Sequence, residues 1–194
     1  MRIISRLLLK LLGWRVASHA AKIPAKCVMI AAPHTSNWDF IIARAAFFVM
    51  GIPVKFTIKK EWMRFPFNLI LKPLGAIPID RSPKEEGTPR LSYTEAMIRL
   101  LKECNQLVVM VTPEGTRKAA PQWKTGFYYT ALGAGVPIVL GYLDYGKKEA
   151  GTGPVIFPSG NVEEDMQTIM QFYVRIQARH PDKFRPDERY FQSS

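Results

Sequence analysis

Apolar and polar residues follow two rhythms along this chain. Mainly apolar runs of five to eight residues, at 26–32 (KCVMIAA), 54–58 (VKFTI), 107–111 (LVVMV) and 136–143 (VPIVLGYL), read as strands. Between them lie segments of helical spacing at 36–50, 89–103, 124–135 and 162–178. The last of these carries Val162, Met166, Ile169, Tyr173 and Ile176 on one face. A shorter strand is expected at 75–81 (GAIPIDR), and a short helix or irregular, lid-like piece at 65–74 between Pro66 and Pro73. A hairpin turn is expected at 144–147, with its return strand at 154–157. Strands alternating with helices predict an α/β fold, a mixed and mostly parallel sheet flanked by helices.

The first residues have a different pattern. In RIISRLLLKLLGW, residues 2–14, Arg2, Arg6 and Lys10 recur every four positions and form a basic stripe. Ile3, Ile4, Leu7, Leu8, Leu11, Leu12 and Trp14 cover a wide apolar face. As a helix this stretch spans only about 20 Å, short of the roughly 30 Å hydrocarbon core of a bilayer. It is expected to lie in a membrane interface and not to cross it. A core-packing helix fits the same pattern, as does a signal peptide ending near Ala17-Ser18-His19-Ala20, although Lys10 splits the apolar region that a signal peptide needs. The expected organisation is an N-terminal amphipathic, membrane-associating element at 1–25 followed by one α/β domain at 26–194.

Charge supports an anionic partner. The chain holds 27 lysines and arginines against 16 acids, a formal charge of +11, and its first 60 residues contain ten of the basic residues and only one acid, Asp39. A membrane surface, a phosphorylated substrate, an acidic carrier protein or nucleic acid would suit that half. Nucleic acid is disfavoured, because no zinc, RRM or helix-turn-helix signature is present and basic residues are not interleaved with exposed aromatics. Cys27 and Cys104 lack ligand-like spacing and read as free thiols of a reducing compartment, with no metal site.

The candidate chemistry centres on Ala32 to Phe40 (APHTSNWDF), at the end of the first core strand. A carboxylate that accepts an imidazole N–H fixes its tautomer and stabilises the imidazolium, so His34 and Asp39 could act as a base and its orienter. Residues five apart on a helix point about 140° away from each other, so the two can meet only if the chain leaves helix between them. Pro33 disfavours helix at Ala32, and Thr35, Ser36 and Asn37 are N-cap types, which places the helix start near Ser36. Ser36-Asn37-Trp38-Asp39 also fits a capping box, in which Asp39 serves its own helix terminus.

Four segments in this order complete the pattern: His34 with Asp39, Ile77-Pro78-Ile79-Asp80-Arg81, Pro113-Glu114-Gly115-Thr116-Arg117 and Val136-Pro137-Ile138-Val139. Together they resemble the H-x-x-x-x-D, G-x-I-x-I-D-R, F-P-E-G-T-R-S and V-P-I-x-P blocks of the glycerolipid acyltransferase family, the lysophosphatidic acid and glycerol-3-phosphate acyltransferases. The resemblance covers about Lys26 to Leu143. It implies transfer of an acyl group from acyl-CoA or acyl-ACP, a co-substrate and not a cofactor, to a hydroxyl of a phosphorylated glycerolipid such as lysophosphatidic acid. His34 would be the general base, oriented by Asp39, and no covalent enzyme intermediate is required. Arg81 and Arg117 would bind phosphate, and Lys59 would be a further basic residue near it, with Lys60 competing for the role. Glu114 would accept hydrogen bonds from the acceptor or order its loop, Gly115 would admit backbone close to substrate, and Thr116 belongs to the same block. The resemblance also implies a peripheral or monotopic enzyme on the cytoplasmic membrane face. Thr112, Lys118 and Leu140 depart from the family pattern, and they bear on which hydroxyl is acylated.

Two rivals use the same residues differently. A thioesterase or lysophospholipase would turn His34 on water, but the chain has no G-x-S-x-G elbow and Ser36 is close in sequence to His34. In a non-enzymatic basic membrane-binding module the His34 and Asp39 pair would be incidental.

Overall fold

The computed structural model describes residues 1–17, 23–79 and 91–191, the side chains of Lys59 and Lys60 excepted. In chain order the elements are α1 (Arg2–Leu11), β1 (Arg15–Val16), β2 (Lys26–Ala32), α2 (Asn37–Met50), β3 (Val54–Lys59), α3 (Asn68–Leu71), β4 (Ala76–Ile79), α4 (Tyr93–Glu103), β5 (Leu107–Val111), α5 (Gly126–Ala134), β6 (Ile138–Asp144), β7 (Glu149–Ile156) and α6 (Val162–Tyr173). The strands form one sheet in the order β1-β7-β6-β2-β5-β3-β4. From β6 to β4 all neighbours are parallel, while β7 returns antiparallel beside β6. This is the mixed, mostly parallel α/β sheet expected from the alternation of elements.

Both faces of the sheet are covered, which is why β2 reads as an unbroken apolar run. Val28 and Ile30 point to one face, where Met97 and Leu101 of α4, Phe127 and Tyr128 of α5, and Met166 and Tyr173 of α6 close over them. Cys27 and Met29 point to the other, under Ile42, Ala46 and Phe47 of α2 and, farther out, Leu9 of α1. Both cysteines are free, and burial pushes the Cys27 thiol up to about 12, so it packs as a small apolar group.

Three elements depart from the apolar pattern. β7 begins at Glu149, five residues before the expected return strand, because pairing with β6 holds Ala150, Gly151 and Thr152 in register whatever their side chains. A Cβ on Gly153 would meet the Phe172 ring, so packing demands small residues where a strand pattern would show large ones. α6 ends at Tyr173, short of residue 178, and α1 ends at Leu11. A left-handed turn at Gly13 (φ +70°) then swings Trp14 inward, to 6% exposure and edge-on contact with the Tyr145 ring at 4.8 Å. Trp14 therefore belongs to the core and not to an outward apolar face. Ser5 and Leu9 of α1 are also buried, yet Ile3, Ile4, Leu7 and Leu11 remain 58–85% exposed.

The topology creates a crevice. After β2 the chain crosses one face through α2 to reach β3, and after β5 it crosses the other through α5 to reach β6. β2 and β5 are parallel neighbours with Ile30 opposite Val111, so their following segments part to opposite sides at the same sheet edge. Ligands of open α/β sheets bind at such a switch point.

Candidate active site

His34 follows β2 and Asp39 is the third residue of α2, so both stand at the crevice. Ser36 is the N-cap in extended conformation, and its hydroxyl accepts from the Trp38 N–H at 3.2 Å. Asp39 completes the capping box, and one of its oxygens, Oδ2, accepts from the N–H groups of Thr35 (2.7 Å) and Ser36 (2.8 Å). The same oxygen lies 3.8 Å from His34 Nδ1. The geometry is that of a helix cap, and the oxygen that makes it is also the one nearer the imidazole. The carboxylate shapes the loop and, at a distance beyond hydrogen bonding, presents its charge to the imidazole.

The other Asp39 oxygen, Oδ1, accepts from the Tyr145 hydroxyl at 2.6 Å. Tyr145 sits in the β6–β7 turn, 106 residues away in sequence, and only the fold brings it here. Burial, then the Asp39 contact, pushes its hydroxyl well above the usual phenol range, so it stays a proton donor. Burial also lowers the His34 pKa below its ordinary value of 6.5, opposed by the Asp39 charge and aided by Arg117. The lowered pKa favours the neutral imidazole. With Nδ1 toward Asp39, the second ring nitrogen, Nε2, is left to accept a proton.

The loop after β5 supplies the opposite wall. Glu114 is 4% exposed, and its Oε1 accepts the His34 backbone N–H at 2.8 Å, tying the ends of β2 and β5 together. Burial raises the Glu114 pKa to about 7, against the His34 hydrogen bond that lowers it. Gly115 has φ +65°, a left-handed turn that glycine adopts without strain, and a Cβ there would overlap the end of Lys124. Arg117 lines the cavity, as does Lys124. Thr116 is exposed and its hydroxyl accepts from the Lys118 N–H at 3.2 Å, so it shapes the loop away from His34. The Lys59 side chain and Arg81 lie outside the described residues.

Glu114 carries a stability prediction. Between its ordinary pKa of 4.5 and its folded value of about 7 the native state holds a proton that the unfolded chain has lost, so stability falls as pH rises through that window. Glu114→Gln keeps an acceptor for the His34 N–H without the ionisation. Urea unfolding at pH 5 and pH 8 should show wild type losing on the order of 2–3 kcal/mol over that interval from this group, and the variant losing that much less.

The crevice opens into a cavity of about 800 Å³ that His34 and Asp39 border. One arm runs beneath α2, past Phe40, Ala43, Ala46, Phe47 and Met50, with Phe56 and Met110 as its floor. The other lies toward α4 and α5, where Thr57, Tyr93, Lys124 and Thr130 add polar groups and the Thr57 and Tyr93 hydroxyls are 2.6 Å apart. His34 therefore borders both the apolar arm and the part of the cavity lined by cationic and hydroxyl groups. Among the residues expected from sequence, His34, Asp39, Glu114 and Arg117 converge here. Tyr145 and Lys124 belong to no motif, and no signal in the sequence marks them.

Comparisons with known proteins agree with this architecture. The crystal structure of the 1-acyl-sn-glycerophosphate (LPA) acyltransferase PlsC from Thermotoga maritima matches with a TM-score of 0.58 at 17% identity, over 90% of this chain and 75% of that one. At that identity the likeness establishes the fold alone. No curated protein sequence matches the chain. The acyltransferase family profile matches residues 15–140, well over half of the chain and spanning every strand from β1 to β5 together with the loop that carries Glu114 and Arg117. The chain belongs to the acyltransferase family.

Proposed function

We propose that this acyltransferase moves a fatty acyl group from acyl-CoA or acyl-ACP to a hydroxyl of a phosphorylated glycerolipid acceptor such as lysophosphatidic acid. The observation that carries this reading is a partly buried His34, its pKa held down by that burial, on the border of the apolar and the polar parts of the cavity. The acyl chain would occupy the apolar arm under α2, which puts its thioester carbonyl at the crevice. His34 Nε2 takes the acceptor proton while the hydroxyl oxygen attacks the thioester carbon. The tetrahedral intermediate collapses, the C–S bond breaks, and the imidazolium returns the proton to the leaving thiolate. Arg117, with Arg81 and Lys59, would hold the acceptor phosphate. Glu114 supports this by holding the His34 backbone, and its burial favours that role over contact with acceptor hydroxyls.

The proposed partner surface is an anionic membrane, met from one side at the periphery. The exposed Ile3, Ile4, Leu7 and Leu11 lie on the same short helix as Arg2, Arg6 and Lys10. Trp62, Phe65, Phe67, Leu69 and Ile70 are likewise exposed, beside Arg64 and Lys72. No helix among the described residues is long and apolar enough to cross a bilayer.

The test is transfer of radiolabelled acyl groups from acyl-CoA and from acyl-ACP to a panel of acceptors, with anionic vesicles present. A new phosphorylated lipid supports the reading, and thiol release at equal rate without any acceptor replaces it with hydrolysis. The apolar arm adds a second expectation. Ala46 lines it and is 1% exposed, so Ala46→Phe should narrow it and shift preference to shorter acyl donors, with kcat/KM for the longest falling about tenfold or more.

A further inference from the structure

We infer that Tyr145 and Arg179, which belong to no sequence motif, are positioning residues for the His34 base, acting on it through Asp39 and the loop from His34 to Asp39. The inference rests on the proposed role of His34. Asp39 is 3% exposed, and both its oxygens are engaged by protein donors: the Thr35 and Ser36 N–H groups on Oδ2, the Tyr145 hydroxyl on Oδ1. The two N–H groups belong to the loop itself. Tyr145 is the donor that comes from elsewhere, and at 2.6 Å it fixes the rotation of the carboxylate and so the 3.8 Å approach of Oδ2 to His34 Nδ1.

Tyr145 is itself held on three sides. Its backbone N–H donates to Gln177 O at 2.9 Å, its ring meets Trp14 edge-on, and the Arg179 guanidinium lies 5.9 Å from the ring centre. Arg179 also lies 5.6 Å from the ring centre of Trp38, inside the His34 loop, and the next residue, His180, donates its N–H to the Thr35 hydroxyl at 3.3 Å. The segment after α6 therefore clasps the His34 loop from outside. A cation there draws Asp39 charge toward the Tyr145 side and away from the imidazole. The charged and titratable groups around His34 include Asp39 on α2, Glu114 and Arg117 after β5, Lys124 on the wall of the same cavity, Tyr145 and Arg179 behind Asp39, and His180 beside Thr35.

Removing the Tyr145 hydroxyl frees one Asp39 oxygen and leaves more negative charge facing His34, so the imidazole should become more basic. The experiment is an NMR titration of the His34 ring in the intact protein, its signal among three histidines identified by its absence in His34→Ala. Tyr145→Phe should raise the His34 midpoint by about half a unit or more, and the acidic limb of kcat should move with it. kcat should fall about tenfold with the KM for acyl donor little changed. Arg179→Met should shift the midpoint the same way, Arg179→Lys should restore it, and Arg179→Met should add little on top of Tyr145→Phe. Should Tyr145→Phe not fold, the exposed Arg179 pair reads the same linkage. An unmoved midpoint in Tyr145→Phe, or full additivity of the two changes, overturns the inference. The titration needs no turnover, so a moved midpoint in a protein that transfers no acyl group would overturn the function and leave the positioning intact.

Discussion

His34→Ala should lower acyl transfer by about 10²–10⁴-fold while leaving the fold and its unfolding temperature nearly unchanged. The size follows from what is removed. In the proposed mechanism the imidazole accepts the proton, whereas its backbone N–H, which remains in the variant, makes the bond to Glu114 that ties β2 to β5. The side chain is only partly buried, at 19% exposure, and the Asp39 carboxylate is 3.8 Å from Nδ1, so its loss breaks no short ion pair with Asp39. The pH profile is a second part of the same prediction. Burial holds the His34 pKa below 6.5, and a general base works only when neutral. Activity should therefore be flat through pH 7 and fall as pH drops through a value below 6.5, a limb absent from His34→Ala. Single-turnover rates between pH 5 and pH 8 check both, and an acidic limb centred well above 6.5 would contradict the buried environment of the ring.

Asp39 should separate structure from catalysis through two replacements. Asp39→Ala leaves two backbone N–H groups and the Tyr145 hydroxyl without their acceptor inside the protein and removes the capping box of α2. A loss of about 2–4 kcal/mol in unfolding free energy is expected, together with loss of transfer because the loop carrying His34 is released. Asp39→Asn keeps an oxygen for the Thr35 and Ser36 N–H groups, and the Tyr145 hydroxyl can turn to accept from the new amide. It should recover most of the stability while kcat stays depressed about tenfold or more, since the charge that stabilises the imidazolium is gone. Chemical unfolding beside kcat for the three proteins measures the split. If Asn restored both together, Asp39 would serve only as a helix cap.

The sequence located much of this site because its parts are local. The cap, the proline before it and the apolar helix behind it lie within residues 33–50, so Ser36 as N-cap, the helix end at Gly51 and the closeness of His34 to Asp39 all follow from short-range chemistry. A buried strand ending in Pro-Glu-Gly makes the turn after β5 legible, while the interest of Glu114 and Arg117 within it comes from the family resemblance. A helical wheel puts Trp14 on the outer apolar face because it assumes that the helix continues, whereas a single left-handed Gly13 turns the ring into the core. β7 was shortened because its register is set by hydrogen bonds to β6, while Gly151 and Gly153 are required by rings above them and carry no strand signal.

The sequence by itself determined the alternation of strands and helices and the closeness of His34 to Asp39, because each depends on neighbours within a few residues; Glu114 and Arg117 are expected beside them only through the family resemblance, and Arg81 lies outside the described residues. Only the tertiary structure decided that Glu114 holds the backbone of His34, that Tyr145 closes on Asp39, and that Arg179 faces both Trp38 and Tyr145. The Glu114–His34 and Tyr145–Asp39 contacts join residues 80 and 106 positions apart. No local propensity encodes such a pairing; the parallel order of β6, β2 and β5 brings their C-terminal ends to one edge, and the groups meet there because the strands do.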